Sequence, residues 1–233
     1  MNKITFVAVF GTASLVASAD AGILGFAAFS RTIGANKVVD LVAVTERASD
    51  RVLNIFNVNS SSTFVQLAGL STRGFKPDAA TSNRSNTVDS FCTIGVQGGA
   101  PYYGEYYAAG NTGPDGGFTT GWTTLGNTMP ANCGWFISPP TGPDNVSESL
   151  ANFSGLRANS SAGAAGGSFG VWLGHWVFAG NTTSALISCT VSVKDGVSGA
   201  TVTGAVTNFE QIPAPGALAL LGIAGFASRR RRA

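Results

Sequence analysis

The stretch Ile187-Ser188-Cys189-Thr190-Val191-Ser192-Val193 decides the fold class of this chain. Apolar and hydroxyl side chains alternate along it, and successive side chains of a β-strand point to opposite faces of a sheet. One face is therefore expected in the core and the other in water, which is typical of an antiparallel sheet. The turn signal Lys194-Asp195-Gly196 and a second alternating run at 200–206 follow, so this region predicts a β-hairpin.

Other short β-branched or aromatic runs, separated by turn residues, predict further strands. They lie at residues 38–44, 52–58, 64–67, 91–96, 134–137, 150–156 and 169–178. We expect the first two runs to form adjacent antiparallel strands, joined by the charged connection 45–51. Period-two spacing divides the last run into two faces, with Trp172, Trp176 and Phe178 on one and Val171, Leu173, His175 and Val177 on the other.

No stretch between residues 22 and 210 keeps a helical period with caps. The sequence therefore predicts an all-β fold, an antiparallel β-sandwich or jelly-roll-like domain at residues 20–212. About 190 residues are enough for one domain with a substantial core. An N-terminal signal helix and a short C-terminal hydrophobic helix are expected to flank this domain.

The first 19 residues have the three parts of a secretory signal peptide. Lys3 supplies the early cation, residues 4–16 the apolar stretch, and Ala17-Ser18-Ala19 the small residues before a cleavage site. We expect signal peptidase to cut between Ala19 and Asp20, or after Ala21 at an overlapping site.

The last 21 residues form a second targeting segment, at 213–233. Pro213-Ala214-Pro215 precedes an apolar run at 216–227, and four consecutive arginines follow, Arg229, Arg230, Arg231 and Arg232. The run is about a dozen residues long, short of the roughly twenty that cross a bilayer comfortably, and a positive block of this kind stays on the cytoplasmic side. Transient insertion into the inner membrane is the expected behaviour, with an uncut tail anchor or an amphipathic helix as alternatives.

These three parts, in this order at the C-terminus, resemble the PEP-CTERM family of bacterial sorting tails. The resemblance covers about a tenth of the chain and departs from the family at Ala214, where the family usually has Glu. It implies an exosortase-type sorting enzyme as partner, cleavage near residues 213–215, and delivery to the cell surface or extracellular matrix.

The charge balance of the predicted mature domain argues against nucleic-acid binding. Lys3 and the four terminal arginines account for five of the 14 cations, which leaves nine against 12 acidic residues. The domain is thus mildly acidic, whereas nucleic-acid binding needs clustered Lys and Arg on the fold. Charged residues are only 11% of the chain, so we expect a surface of neutral hydroxyl and amide groups.

Three cysteines fit an exported protein in an oxidising compartment. Cys92 and Cys133 flank a Gly-rich stretch, while Cys189 belongs to the apolar face of the hairpin. A Cys92–Cys133 disulfide with Cys189 buried as a thiol is our preferred prediction, and the other two pairings stay open.

No catalytic or metal-binding residues are predicted. Ser168 lies in a Gly-x-Ser-x-Gly pattern at 166–170, but the α/β context of a nucleophile elbow is missing and the only histidine, His175, follows within the same expected strand. A lone histidine also disfavours zinc and copper sites. No motif pairs Glu105 with Glu148 as a glycosidase would need.

Loop acids leave calcium as the one possible cofactor, because oxygen ligands on loops suit this ion. Asp115 and Asp144 are the candidate ligands, and both also fit turns that need no metal.

Aromatic residues suggest one possible binding activity, since flat rings stack on sugars. The candidate sugar contacts are Tyr102, Tyr103, Tyr106, Tyr107, Trp172 and Trp176. Burial in the sandwich core is the competing and favoured interpretation of these rings. The leading functional hypothesis is therefore a non-enzymatic exported protein with a structural or adhesive role, and a polysaccharide-binding module is the alternative.

Overall fold

The computed structural model describes residues 22–66, 75, 84–85, 88–97, 100–101, 106–108, 127–137 and 145–212, with the backbone alone at 96–97, 100–101 and 106–108. Thirteen strands lie in these residues: β1 (Ile23–Ile33), β2 (Asn36–Thr45), β3 (Arg51–Ser60), β4 (Phe91–Cys92), β5 (Val96–Gln97), β6 (Ala100–Pro101), β7 (Tyr106–Ala108), β8 (Cys133–Ile137), β9 (Glu148–Ser149), β10 (Leu156–Ser160), β11 (Phe169–Ala179), β12 (Leu186–Lys194) and β13 (Thr201–Glu210). The expected flanking helices lie outside the described residues.

Two antiparallel sheets pack face to face and confirm the predicted all-β sandwich. The first sheet has the order β10-β1-β2-β11-β4, with β9 also paired to β11. The second has the order β13-β12-β3-β8-β7. A separate two-stranded ribbon joins β5 and β6. In the part of the chain that the structure describes, the one helical element is a 3-10 turn at Leu150–Asn152.

The hairpin predicted from the opening stretch is confirmed as β12 and β13. Its four apolar residues on β12 are all buried, at positions 187, 189, 191 and 193. At the turn, one carboxylate oxygen of Asp195 accepts hydrogen bonds from the backbone N–H groups of Val197 and Ser198, at 2.9 and 2.6 Å. An aspartate that bonds the backbone two residues on favours a turn, which explains why the hairpin reverses here.

The expected pairing of residues 38–44 with 52–58 is wrong. β2 pairs with β1 and β11 in the first sheet, whereas β3 pairs with β12 and β8 in the second. The chain crosses between the sheets at residues 46–50. Buried Asp50 fixes the crossing, since its carboxylate accepts from the N–H of Arg47 at 2.9 Å and of Gly196 at 3.0 Å.

Strand predictions also fail in three other stretches. β1 was not expected, because its first half is rich in small residues. Residues 150–156 were expected to form a strand but hold the 3-10 turn, with β10 beginning only at Leu156. Residues 64–66 form no strand. Small residues alone do not indicate a strand. Here the backbone hydrogen bonds to β2 and β10, on either side, hold the segment as a strand.

The core between the sheets is aromatic at its centre. Trp176 of β11 meets Trp135 of β8 edge-on, with ring centroids 6.1 Å apart, and Phe64 contacts Trp176 at 5.6 Å. Fully burying one such side chain stabilises a fold by about 1.5–3 kcal/mol. The indole N–H of Trp135 donates to the carbonyl of Thr93 at 3.0 Å, so this buried polar group is satisfied.

The predicted division of β11 into two faces is wrong. Val171, Leu173, Trp176 and Phe178 belong to the core between the sheets, while Trp172 belongs to a second cluster. An irregularity in the pairing with β2 between Trp172 and Gly174 adds a residue to β11 and reverses the alternation beyond it.

This second cluster covers the outer side of the first sheet. Trp172 and Phe29 from the sheet pack there with Leu150 and Phe153 from the segment before β10. The first sheet is thus buried on both faces, unlike the sheet with one wet face that the sequence predicts for the hairpin.

The predicted Cys92–Cys133 disulfide is not formed, and all three cysteines are buried. Cys92 lies opposite Gly174 in the first sheet and Cys133 opposite Val58 in the second. Because the two cysteines belong to different sheets, their thiols could meet only if both side chains faced each other at one place in the core. Burial raises the pKa of Cys133 to about 12, and burial together with Cys133 raises the pKa of Cys189. The expected burial of Cys189 as a thiol is confirmed.

The end of β13 is fastened to the start of β12. One carboxylate oxygen of Glu210 accepts from the N–H of Ala185 at 2.7 Å, and the other from the hydroxyl of Ser184 at 2.5 Å. The N–H of Gln211 donates to the carbonyl of Ala185 at 2.9 Å, and Gln211 and Ile212 are both buried. The last described residues therefore belong to the fold.

Candidate functional site

A buried charged cluster lies on the outer side of the first sheet. Asp40 of β2 and His175 of β11 stand directly opposite each other in the strand register. Nδ1 of His175 is 2.6 Å from one carboxylate oxygen of Asp40, and the guanidinium of Arg31 on β1 is 2.6 Å from the other. Because an ionised carboxylate only accepts hydrogen bonds, the imidazole and the guanidinium both donate to it. One carboxylate thus joins three adjacent strands.

Aromatic rings enclose this cluster. The imidazole of His175 stacks on Phe91 with centroids 5.0 Å apart, and Trp172 packs edge-on against it. The guanidinium of Arg84 lies 4.0 Å from the ring centre of Phe153 and 5.0 Å from that of Trp172. Arginine over an aromatic face is a favourable cation–π contact.

Glu148 completes the cluster from the segment that covers the sheet. Its carboxylate forms an ion pair with Arg84 and accepts from the side-chain amide of Asn152 at 3.0 Å. Arg84 also donates to the carbonyl of Asn152 at 3.0 Å, and Arg31 donates to the carbonyl of Arg84. The sequence candidates His175, Glu148 and Trp172 therefore do meet, but in an internal network.

The imidazole–carboxylate pair supplies two of the three members of a catalytic triad, yet its setting does not suit catalysis. The side chains of Asp40 and His175 are both 0% exposed. A substrate would reach them only if the covering layer, residues 148–153, moved away from the sheet. Ser168 precedes β11, and seven extended residues place it roughly 20 Å from His175 along the strand. The arrangement instead ties the layer to the sheet, since buried hydrogen-bonded charges strongly resist separation.

Two of the predicted sugar contacts are wrong. Trp172 and Trp176 are both fully buried, because each indole fills one of the two hydrophobic clusters. Tyr106 and Tyr107 lie in β7, where the structure describes the backbone alone, and Tyr102 and Tyr103 lie outside the described residues. Sugar contact by the tyrosines stays a prediction.

The outer side of the second sheet, called here the polar face, is more accessible. Its residues are Arg51, Asn54, Phe56, Phe136, Ser188, Thr190, Ser192, Lys194, Thr201, Thr203 and Ala205. Thr201, Thr203 and Ala205 are exposed, and nearly all the others are half-buried. No described segment packs over this face in the way that residues 150–153 pack over the first sheet. The alternation at 187–193 predicts this hydroxyl face correctly.

Asn54 marks the centre of the polar face. It stands opposite Ser192 on one side and Phe136 on the other. Its side-chain oxygen is buried and has no hydrogen-bond partner among the described residues. An unpaired buried acceptor costs about 1–3 kcal/mol, so this position weakens the sheet locally.

Two cations stand directly opposite each other at one end of the polar face. Lys194 of β12 is paired in register with Arg51 of β3, an arrangement that is unfavourable for like charges. Both line an open groove of about 360 Å³ beside the hairpin turn. Arg51 donates to the side-chain oxygen of Asn145 at 3.2 Å, which holds its guanidinium at this end of the face.

Asp195 also lines this groove but is already satisfied. Hydrogen bonds from the N–H groups of Ser198 and Val197 lower the pKa of its carboxyl below the usual value, and Arg47 adds an ion pair at 2.8 Å. The groove therefore offers the ammonium group of Lys194, rather than this carboxylate, to a ligand.

Metal binding and targeting remain predictions. No group of three or more His, Cys, Asp or Glu side chains that could hold a metal lies within the described ranges. The following predicted residues all lie outside those ranges: Asp115 and Asp144 for calcium, Glu105, Ala19 and Asp20 at the signal cleavage site, and Pro213, Ala214, Pro215, Arg229, Arg230, Arg231 and Arg232 of the tail.

Sequence reasoning missed the partners of its own candidates. Nothing near Asp40 in the sequence signals that it meets His175, because 135 residues separate the two. Strict alternation in β3 would put Arg51 on the same face as Ile55, in the core, and only the register shift near Leu53 brings it opposite Lys194.

Comparisons with known proteins add no family to this description. No family model, no curated protein and no solved structure matches the chain. In the ranges described above, no helix combines the length and the apolar character that a membrane crossing requires. The fold and the surfaces of the chain itself are therefore what functional inference starts from.

Proposed function

We propose that the protein is exported and acts as a non-catalytic structural or adhesive component of the cell surface or extracellular matrix. Its N-terminal residues 1–19 serve as a signal peptide, and its tail at 213–233 is inserted transiently in the inner membrane and processed by an exosortase-type enzyme. The support for export is the pattern of the two ends, and the support for the surface role is the domain between them.

The observation that carries the proposal is the contrast between the two sheets. The Asp40 cluster of the first sheet is buried, and five of the described carboxylates accept hydrogen bonds from groups of the domain itself. They are Asp40, Asp50, Glu148, Asp195 and Glu210. The polar face by contrast presents hydroxyl and amide groups that are half-buried or exposed. Such a surface suits many weak contacts with matrix or neighbouring molecules better than it suits a reaction.

The direct test is the intact mass of the protein recovered from the surface of the cells that make it. We expect an N-terminus beginning at Asp20 or Gly22 and a C-terminus near residues 213–215. Replacing Arg229 to Arg232 by Ser removes the positive block that halts the tail, so this variant should keep its C-terminal residues or be released uncut.

Replacing Arg157 by Ser is the matched control, because it removes a cation from the folded domain and not from the tail. Uncut C-termini in the wild type, the tail variant and the control alike would refute sorting by the tail. A wild-type protein that keeps residues 1–19 would refute export.

A second candidate function is the binding of an acidic polysaccharide on the polar face. It is favoured by the half-buried rings of Phe56 and Phe136 and by the cation Lys194 on the same face. Apolar ring faces stack on sugars, and the ammonium group of Lys194 would compensate uronate or sulfate groups.

Affinity electrophoresis of the purified protein through gels that contain alginate, or a neutral glucan instead, tests this candidate. We expect retardation by alginate that Lys194→Gln and Phe56→Ser each weaken about tenfold or more, a loss of at least about 1.4 kcal/mol. Lys37→Gln removes a cation from the first sheet and is the control. Equal mobility of all variants in alginate would contradict binding at this face.

A further inference from the structure

β13 is the last strand that the structure describes, and it is an edge of the second sheet. Among the described strands it pairs with β12 alone. An edge strand presents a row of N–H and C=O groups that a further strand can bind. Ten residues make β13 one of the longest strands in the structure.

The register shows which groups of β13 face the open side. The N–H of Asp195 donates to the carbonyl of Ala200 at 2.8 Å at the turn, and the pairing with β12 is regular from Thr201 to Val206. Hydrogen-bonded and non-hydrogen-bonded pairs alternate in an antiparallel ladder. Residues 202, 204 and 206 therefore bond to β12, and the backbone groups of Thr201, Thr203 and Ala205 point away from it.

This edge has little protection against pairing. Natural edges are blunted by charged side chains, proline, bulges or short length. Residues 201–207 contain no charged residue and no proline, and the only interruption is a bulge at Asn208, which has a φ of 49°. The edge strand of the first sheet differs, since β10 has five residues and carries Arg157.

The sequence of this edge is nearly symmetric about Gly204. It reads Thr201-Val202-Thr203-Gly204-Ala205-Val206-Thr207. An antiparallel pair of identical strands with Gly204 on a two-fold axis would set Val202 opposite Val206, and Thr203 opposite Ala205. Identical surfaces that match themselves in this way are the requirement of an isologous dimer.

We propose that two copies of this chain associate along β13 in this register. The outward backbone groups of Thr203 in each copy then form a hydrogen-bonded pair with those of Ala205 in the other copy. The second sheets of the two copies become one continuous sheet. The valines extend its apolar inner face, whereas Thr203 and Ala205 extend the polar face. Gly204 lies at a non-hydrogen-bonded position, where opposed Cα atoms approach to about 4.5 Å. Ile23 of the same chain fills the space that a side chain at this position would take. The pairing does not depend on the proposed surface role.

Sedimentation of the purified full chain over a wide range of concentration tests the pairing. Thr203→Pro removes an N–H that points away from β12, so the hairpin keeps its own bonds, and proline is tolerated at such edge positions. We expect its dissociation constant to rise about tenfold or more above that of the wild type. Asn54→Lys places a charge on the polar face, two strands away from the edge, and should leave association unchanged.

A cross-linking experiment tests the register and does not require a proline. A mixture of Thr203→Cys and Ala205→Cys should form a disulfide-linked dimer faster than either variant alone, because only the mixture sets the two positions opposite each other. A wild type that stays monomeric, association that persists in Thr203→Pro, or cross-linking at equal rates would each overturn the proposal. If the copies associated through the apolar tail instead, association would persist in Thr203→Pro.

Discussion

Replacing Asp40 by Asn is expected to cost the protein about 3–5 kcal/mol of unfolding free energy, the usual loss when one partner of a buried ion pair is removed. The carboxylate holds two charged or polar partners, Arg31 and His175, each at 2.6 Å. Hydrogen bonds to charged groups contribute about 1.5–3 kcal/mol each, and a side-chain amide can accept with only one oxygen. The guanidinium of Arg31, 13% exposed, would also lose its countercharge.

Urea unfolding followed by tryptophan fluorescence measures this loss, since Trp172 is buried next to His175. Glu46→Gln is the control, because the pair of Glu46 with Arg47 joins side chains that are 46% and 41% exposed. Exposed pairs contribute at most about 1 kcal/mol. If Asp40→Asn cost no more than this control, the carboxylate of Asp40 would not be what holds the three strands β1, β2 and β11 together.

Two further predictions concern the thiols and the hairpin turn. At about pH 8 a thiol reagent should leave Cys133 and Cys189 unmodified in the folded protein, because burial raises both pKa values and blocks access. After unfolding without reductant the same reagent should label both cysteines. Mass spectrometry measures the labelling, and labelling of the folded protein would contradict the prediction. The pKa of Asp195 is lowered by hydrogen bonds from Ser198 and Val197, so the stability it contributes is present above its unfolded-state pKa and lost as pH falls through the folded value. Asp195→Asn should therefore flatten the decline of Tm below about pH 4, and an unchanged acid profile would argue against these bonds.

Local patterns in the sequence predict the hairpin well and the pairing between distant strands poorly. In β12 the alternation is strict, so both its faces follow from side-chain type. In β11 the added residue near Leu173 reverses the faces, and no pattern in the sequence reveals it. β2 and β3 look like partners because they are neighbours in sequence, but buried Asp50 directs the chain to the other sheet.

The sequence predicts those features of the candidate sites that lie within a single strand, but not the contacts between strands. The hydroxyl groups of the polar face follow from residues 187–193. The Asp40–His175 pair depends on strand register, and the absence of a Cys92–Cys133 disulfide depends on which sheet each cysteine joins. Composition and spacing constrain neither of these.

The attachment of Glu210 to Ala185 and Ser184 has a mechanical consequence. Any tension applied to the chain after Ile212 enters the domain at the end of β13. Three short hydrogen bonds bind this end to the beginning of β12, at 2.5, 2.7 and 2.9 Å. A pull along the strand would have to break these together before the ladder behind them could unzip. The carboxylate of Glu210 thus holds the end of β13 to the residues before β12. The force needed to unfold the domain is expected to fall in Glu210→Gln.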